Sequence, residues 1–465
     1  MNPTAPNSPS VTARIREHSL LDALRSRRSR RFGAGLKMPG GPLAFQSRFA
    51  PAPLAEDEVA ALAFAACGIT GHALADLSYA RGDGGNIMAG LVGRTVAAGD
   101  GIQSTALIIT NDDGTYLLKR PRDFSAAEIA GLIQLARAGE LTEIYRRSRV
   151  QLKTGRTTPP MEPIFNLNCN RWSLHAKGGT YLLPINDLTL LYINALLEIF
   201  NETTAAFVLD ERANFRPAGI GRFARSKGGH LDDEPAKGRL ATIKHLEFMV
   251  TEFISIEQGM MMQNVALMTE ALGLGGFPNF ANHETAWFGA LDFKMETMPA
   301  SRYLGMNRLA SLGARWLGKD FPLSFPLALE RDGEVLLKPF CPPYYPSMRA
   351  AVEAVVELKF GAQGIFRAAA GVSAWKDAPG VRQQVAEISE PAIAAAVAYC
   401  EYVWNRYGRF PAHLPPFRTV VGFQAMRVDA EFYDHFYVAD ALGPTQRADF
   451  ARWSAEPERV VNHSK

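Results

Sequence analysis

The run from Leu240 to Leu272 restricts the fold more than any other part of the chain. Apolar residues at Met260, Met261, Leu267, Met268, Ala271 and Leu272 recur at helical spacing, and the pattern ends abruptly at Gly273, Gly275 and Gly276. Glycine accepts the positive φ that stops a helix and lets backbone approach a flat neighbour closely. The spacing therefore predicts one long buried helix, from about Leu240 to Leu272, followed by a sharp reversal. Such a rod requires apolar surface along most of its length.

The rest of the chain can supply that surface. Its 465 residues are 47% hydrophobic and 21% charged, the balance of a globular chain with room for two or three domains and a large core. A net charge of +3 gives no field for nucleic acid. Cys67, Cys169, Cys341 and Cys400 form no Cys-x-x-Cys pair, which argues against zinc ribbons, iron–sulfur clusters and a disulfide framework and fits a reducing cytoplasm. No apolar leader opens the sequence, and the most apolar helical run, Leu182 to Phe200, is interrupted by Asn186, Asp187, Asn194 and Glu198. The expectation is a cytoplasmic protein with neither a secretory signal nor a membrane span.

Residues 1–12 read as a disordered tail and Ile15 to Leu24 as a short amphipathic helix. Asp57 to Cys67 has acidic residues in its first turn and Gly68 after its end, the order a helix dipole and a glycine stop favour. Thr105–Thr110 and Thr115–Lys119 flank Asn111-Asp112-Asp113-Gly114 as a hairpin, and Phe325–Leu329 with Val335–Lys338 read as another. Ala126–Gln151 and Leu188–Asn201 read as helical, Ala205–Asp210 as a strand, and Gly219–Gly238 as a loop. After the proline-rich segment Pro339–Pro346 the chain turns alanine-rich and helical, from Met348 to Ala370 and from Pro391 to Tyr407. Strands and helices do not alternate regularly, so a doubly wound sheet is disfavoured and an α+β class is expected.

Arg25-Ser26-Arg27-Arg28-Ser29-Arg30-Arg31-Phe32-Gly33 sets guanidinium groups and hydroxyls beside a glycine turn. That set suits a phosphate, because arginine grips it through paired charge-assisted hydrogen bonds while hydroxyls and backbone N–H groups take the other oxygens. A solvated basic run reads the same way, and Arg146 to Arg149 repeats Arg-Arg-Ser-Arg inside a helical stretch. Gly219-x-Gly221-Arg222 with Arg225, Lys227, Gly228 and Gly229 reads as a mobile polar loop before a second phosphate cradle. Asp429, Glu431, Asp434 and His435 lack an established ligand pattern and read as a surface face; no metal site is expected. Cys169 reads as a packed thiol before a reactive one.

Arg27-Arg28-Ser29-Arg30-Arg31-Phe32 resembles the N-terminal FMN-phosphate motif of the nitroreductase superfamily. Arg94-Thr95-Val96-Ala97-Ala98-Gly99, the strand Thr105–Thr110 and Gly114-Thr115-Tyr116 resemble the order found in its azoline-oxidase branch, the thiazole and oxazole dehydrogenases. Glu257-x-Gly259-x-x-x-Gln263-Asn264-x-x-Leu267-x-x-x-Ala271-Leu272-Gly273-Leu274-Gly275 is similar to that branch's central helix. The chain departs from the branch at Ala97-Ala98, at Met260, and at Asn214–Gly219, where a Lys-Tyr pair is missing.

The resemblance implies a nitroreductase-like fold: a central, mostly antiparallel sheet flanked by helices. It would occupy residues 13–340, with a helical insertion at about 120–205, and residues 341–465 would form a helical C-terminal region. It implies FMN held by Arg27, Arg28, Ser29 and Arg31, with Arg94, Thr95, Gly99 and Asn264 nearby and Gly276, Phe277, Pro278, Asn279 and Phe280 beside the isoalloxazine ring. It further implies a homodimer with flavin at the subunit interface. The expected activity is hydride transfer between a donor such as NADH or NADPH and an organic acceptor, through the flavin. Oxygen-dependent dehydrogenation of a peptide or other natural product is the alternative within the class, and non-catalytic binding of flavin or a partner is the alternative outside it. The sequence singles out no general acid.

Overall fold

The computed structural model describes residues 10–80, 82–88, 92–162, 167–280, 284–367 and 373–455. Seven helices order the first part of the chain: α1 (Val11–Glu17), α2 (Leu20–Ser26), α3 (Glu56–Cys67), α4 (Ala126–Ala138), α5 (Leu141–Ser148), α6 (Leu188–Ile199) and α7 (Ile243–Leu272). Of the expected tail, residues 1–9 lie outside the described residues, while Ser10 caps α1 by accepting the Ala13 N–H at 3.2 Å. The single helix read over Ile15–Leu24 is two helices, because Ser19 accepts the Asp22 N–H at 3.0 Å and restarts the chain as α2.

The central sheet runs, edge to edge, Gly275–Phe280, Val421–Met426, Thr180–Asp187, Thr105–Thr110, Gly114–Leu118 and Arg149–Thr154, with Phe417–Arg418 also on Thr180–Asp187. Every pairing in it is antiparallel. Alternation explains why Thr105–Thr110 is buried throughout. Leu107 and Ile109 share a cluster with Met261, Val265 and Ala63, whereas Ala106 and Ile108 share one with Trp287 and Phe288. The strand thus has protein on both faces.

Two regional expectations change. Residues 120–205 hold α4, α5 and α6, but also the strands Arg149–Thr154 and Thr180–Asp187, the second at the heart of the sheet. Gly139 ends α4 at φ 81°, and the basic stretch beyond α5 pairs with Gly114–Leu118 where continued helix was expected. Residues 341–465 include the helices Met348–Phe360 and Glu390–Tyr407, yet Val421–Met426 lies between two strands of the first part. The C-terminal region is therefore woven into the sheet, and Pro339–Pro346 marks no separable unit.

Thr242 caps the start of α7 through the His245 N–H, and Gly273, at φ 77°, ends it. The chain then reverses through Leu274 into Gly275–Phe280, a strand whose inner edge pairs with Val421–Met426. Its outer edge is met by Arg30, bridged antiparallel to Gly276. An open strand edge leaves backbone groups unpaired, and here the arginine run fills part of that edge. Gly33 bridges Val428 in the same way, so the segment after α2 is threaded between the sheet and the C-terminal residues. No helix among the described residues is long and apolar enough to cross a membrane.

Candidate functional site

The bridge between Arg30 and Gly276 brings the arginine run and the glycine-broken turn together. Their side chains diverge. Arg30 is 2% exposed, and its Nη1 donates to Glu270 Oε1 at 2.7 Å and Oε2 at 3.0 Å. Glu270 Oε1 also accepts the Arg28 N–H at 3.0 Å, and Oε2 accepts from Gln446. The Arg30 charge is therefore spent on the last turn of α7.

Arg31 is held differently. Its Nη2 donates to Asn170 Oδ1 and Ser173 Oγ, each at 2.8 Å, and its guanidinium lies 4.6 Å from the Phe277 ring centroid and 5.3 Å from that of Trp172. All of these partners are neutral, so its positive charge is not cancelled by an ion pair among the described residues. Its Nε is buried without a hydrogen-bond partner, a donor that an acceptor would satisfy. Burial lowers its pKa, but arginine stays cationic across the working range.

Arg28, Ser29 and Arg31 line an open cleft of about 530 Å³ with Phe32, Met38, Trp172, Phe432, Tyr433 and Tyr437. The size lies within the range of small-molecule sites. Phe32 and Phe432 stack at 4.0 Å between centroids, and Trp172 also stacks with Phe32, at 6.1 Å. Tyr433 accepts the Phe32 N–H, and burial pushes its phenol up to about 12, so it stays protonated at neutral pH. Arg28 reaches Asp440 at 3.4 Å on the rim. Arg27 and Ser29 are exposed at the end of α2, with no hydrogen bond or ion pair from either side chain among the described residues.

The other expected site residues lie elsewhere. Arg94 pairs with Glu257 at 3.9 Å, both side chains almost fully buried. Asn264 donates to the Thr95 carbonyl at 2.8 Å, and Gly99 faces Phe253 and Leu191. These residues form a packed group on α7, and none lines the arginine cleft. Asn279 accepts from the Tyr181 hydroxyl at 2.8 Å, and Phe280 projects 73% exposed at the strand end. Pro278 is also exposed.

Gly276 is required by packing. A Cβ there would stand 2.5 Å from Phe423 Cε1 and 2.9 Å from the Gln424 carbonyl, so the neighbouring strand, before any ligand, forbids a side chain. Gly276→Ala is expected to cost about 1–3 kcal/mol through overpacking, read as a lower midpoint in urea. Protein that remains folded should keep any bound chromophore.

Sequence reasoning missed Glu270, Asn170, Ser173, Trp172, Phe432 and Tyr433. Of these, Asn170 and Trp172 stood close to a residue the sequence singled out, Cys169. That thiol is exposed, not packed, and the role of the turn around it is Asn170's grip on Arg31. Asp429 is buried and caps the following helix through the Glu431 N–H at 3.0 Å, while Glu431 pairs with Arg48 and Asp434 with Arg447. Among the described residues no group of His, Cys, Asp or Glu is placed to hold a metal ion. Arg225 and Lys237 both turn to Asp232, which commits part of the glycine-rich loop to itself.

No family model and no curated protein matches the chain. Among solved structures it aligns with a candidate nitroreductase from Ralstonia eutropha JMP134, at 12% identity and a TM-score of 0.28, over 63% of this chain and 80% of that one. So loose a likeness carries no weight in the assignment of function.

Proposed function

We propose that the chain is an FMN-dependent oxidoreductase of nitroreductase type, with the flavin phosphate at the Arg27–Arg31 cleft and the ring system toward Phe277. The observation that carries this reading is Arg31: a cation without a carboxylate partner, held by Asn170 and Ser173, with an orphaned buried Nε at the wall of an aromatic cleft. Arg27 and Ser29 stand free beside it to take phosphate oxygens. The donor set fits the group.

FMN, when bound, supplies the centre that accepts and releases hydride, with NADH or NADPH as donor and an organic molecule as acceptor. This chain's residues bind and orient. Arg28, Arg31 and the Arg27–Ser29 pair hold negative charge, Phe277 and Trp172 flank the Arg31 guanidinium, and the Phe32, Phe432 and Tyr433 wall excludes water. Met249, Phe253, Ile256 and Met260 form an exposed stripe on α7 at the i, i+4, i+7, i+11 spacing of a helix–helix seam. A second copy covering that stripe makes the protein a homodimer.

Freshly purified protein should be yellow, with the visible absorption bands of flavin, and those bands should bleach anaerobically on adding NADPH or NADH. Arg31→Ala should weaken FMN binding about 10- to 100-fold, the loss of one or two charge-assisted hydrogen bonds, measured by quenching of flavin fluorescence. Colourless protein that does not take up FMN overturns the reading. Bound flavin that is inert to every donor selects the non-catalytic alternative.

A further inference from the structure

The helix Arg308–Trp316 is turned inside out. At about 100° per residue, Leu309, Leu312 and Trp316 fall within roughly 60° of one another on its circumference, yet they are 82%, 61% and 87% exposed. The opposite side carries Ala310, Ser311 and Ala314, each half-buried, and no residue of the helix is fully buried. Local bonds hold this face outward. Asn307 caps the helix by accepting the Ala310 N–H at 2.9 Å. Beyond Gly318, at φ 64°, Asp320 accepts from Arg315 Nε at 3.2 Å and from the Ser301 N–H at 2.8 Å. Leu304, Leu317 and Phe321 are exposed at the two ends of the same segment. A run of apolar surface held out in this way marks a contact with something beyond the chain.

The charge of the segment is one-sided. From Ala300 to Phe321 the single acid is Asp320, against Arg302, Arg308, Arg315 and Lys319. Asp320 is 7% exposed and engaged by Arg315. Arg308 and Lys319 are exposed, with no hydrogen bond or ion pair from either side chain among the described residues. Leucines and a tryptophan on one face with free cations beside them suit a helix that lies in a bilayer interface, its apolar side in the acyl boundary and its cations against phosphate. A second copy suits the face less well. A twofold contact sets a patch against itself, and Arg308 and Lys319 would then meet like charge. Anionic lipid supplies both the apolar depth and the opposite charge.

We propose that the helix Arg308–Trp316 docks the protein on an anionic membrane surface, with Leu309, Leu312 and Trp316 entering the interface and Arg308 and Lys319 on lipid phosphates. The inference does not rest on flavin binding. Co-sedimentation of the full chain with vesicles tests it, comparing phosphatidylcholine alone with phosphatidylcholine holding about 30% phosphatidylglycerol. The protein should pellet with the anionic vesicles and partition about tenfold less onto the neutral ones. Leu309→Ser, Leu312→Ser and Trp316→Ser together, a change confined to exposed side chains, should lower partitioning onto the anionic vesicles about tenfold or more by removing the apolar contact. Arg308→Glu with Lys319→Glu should lower it to a similar extent, about tenfold, by reversing the charge. Failure to pellet with the anionic vesicles, or unchanged partitioning in either variant, overturns the proposal. A wild type that pellets with neither vesicle, while the serine variant dissociates a dimer in gel filtration, overturns it in favour of a second copy on this face.

Discussion

Glu270→Ala is expected to cost about 3–5 kcal/mol of folding stability, because it leaves Arg30 charged and buried without a counter-charge. Both side chains are nearly inaccessible, at 2% and 3%. Glu270 also accepts from the Arg28 N–H and from Gln446, so the truncation orphans three groups besides making a cavity. The loss would fall where α7, the arginine run and the C-terminal helix Pro444–Ser454 meet. The measurement is the urea midpoint by circular dichroism. The double variant Arg30→Met, Glu270→Leu should recover much of the loss, since an apolar pair removes the charges together. A loss below about 1 kcal/mol in the single variant would mean that solvent reaches the pair.

Arg427→Met is expected to be of similar size, about 3–5 kcal/mol. Arg427 bonds Glu58 at 2.7 Å and Asp449 at 2.8 Å, and both carboxylates are almost fully buried. Arg14 also reaches Glu58, at 3.1 Å, so the group ties α1, α3 and the C-terminal helix to the end of the sheet. Burial pushes the Glu58 carboxyl up, but Arg427, the Ala55 N–H and Arg14 outweigh it and hold the group below its usual range. The folded protein therefore binds this proton less tightly than the unfolded chain. Its contribution is full above the unfolded pKa of about 4.3 and is lost as pH falls through the folded value. In the variant the two buried carboxylates keep only Arg14 and, at Asp449, Arg452 as counter-charges, their pKa values rise, and the deficit against wild type should narrow on acidification. Thermal melts of both proteins at neutral and mildly acidic pH would show it; a deficit that grows in acid would contradict the assignment.

Local pattern made much of the fold legible. The strand Thr105–Thr110, the hairpin turn after it, α3 and α7 follow from periodicity, turn chemistry and a glycine stop, all properties of neighbouring residues. The site was legible only in part. Arg27–Arg31 stood out as an anion-binding run, but nothing local distinguishes Arg30, which Glu270 neutralises from 240 positions away, from Arg31, which keeps its charge. Arg94 carries the same side chain and is committed to Glu257. Arg149 to Gln151, read as the end of a helix, belong to the strand Arg149–Thr154 because the partner strand, not local propensity, decides their state.

By itself the sequence determined that α3 and α7 are helices, which stretches must be buried, and that α7 must end at Gly273. These depend on φ preferences, capping and the spacing of apolar side chains, which act over a few residues. Tertiary structure alone decided that a strand from residues 421–426 enters the sheet, that Gly276 is small for the sake of Phe423, and that one arginine of five faces the cleft without a carboxylate partner. Strand pairing and charge compensation join residues hundreds of positions apart, and which partner each finds is set by the packing of the whole chain.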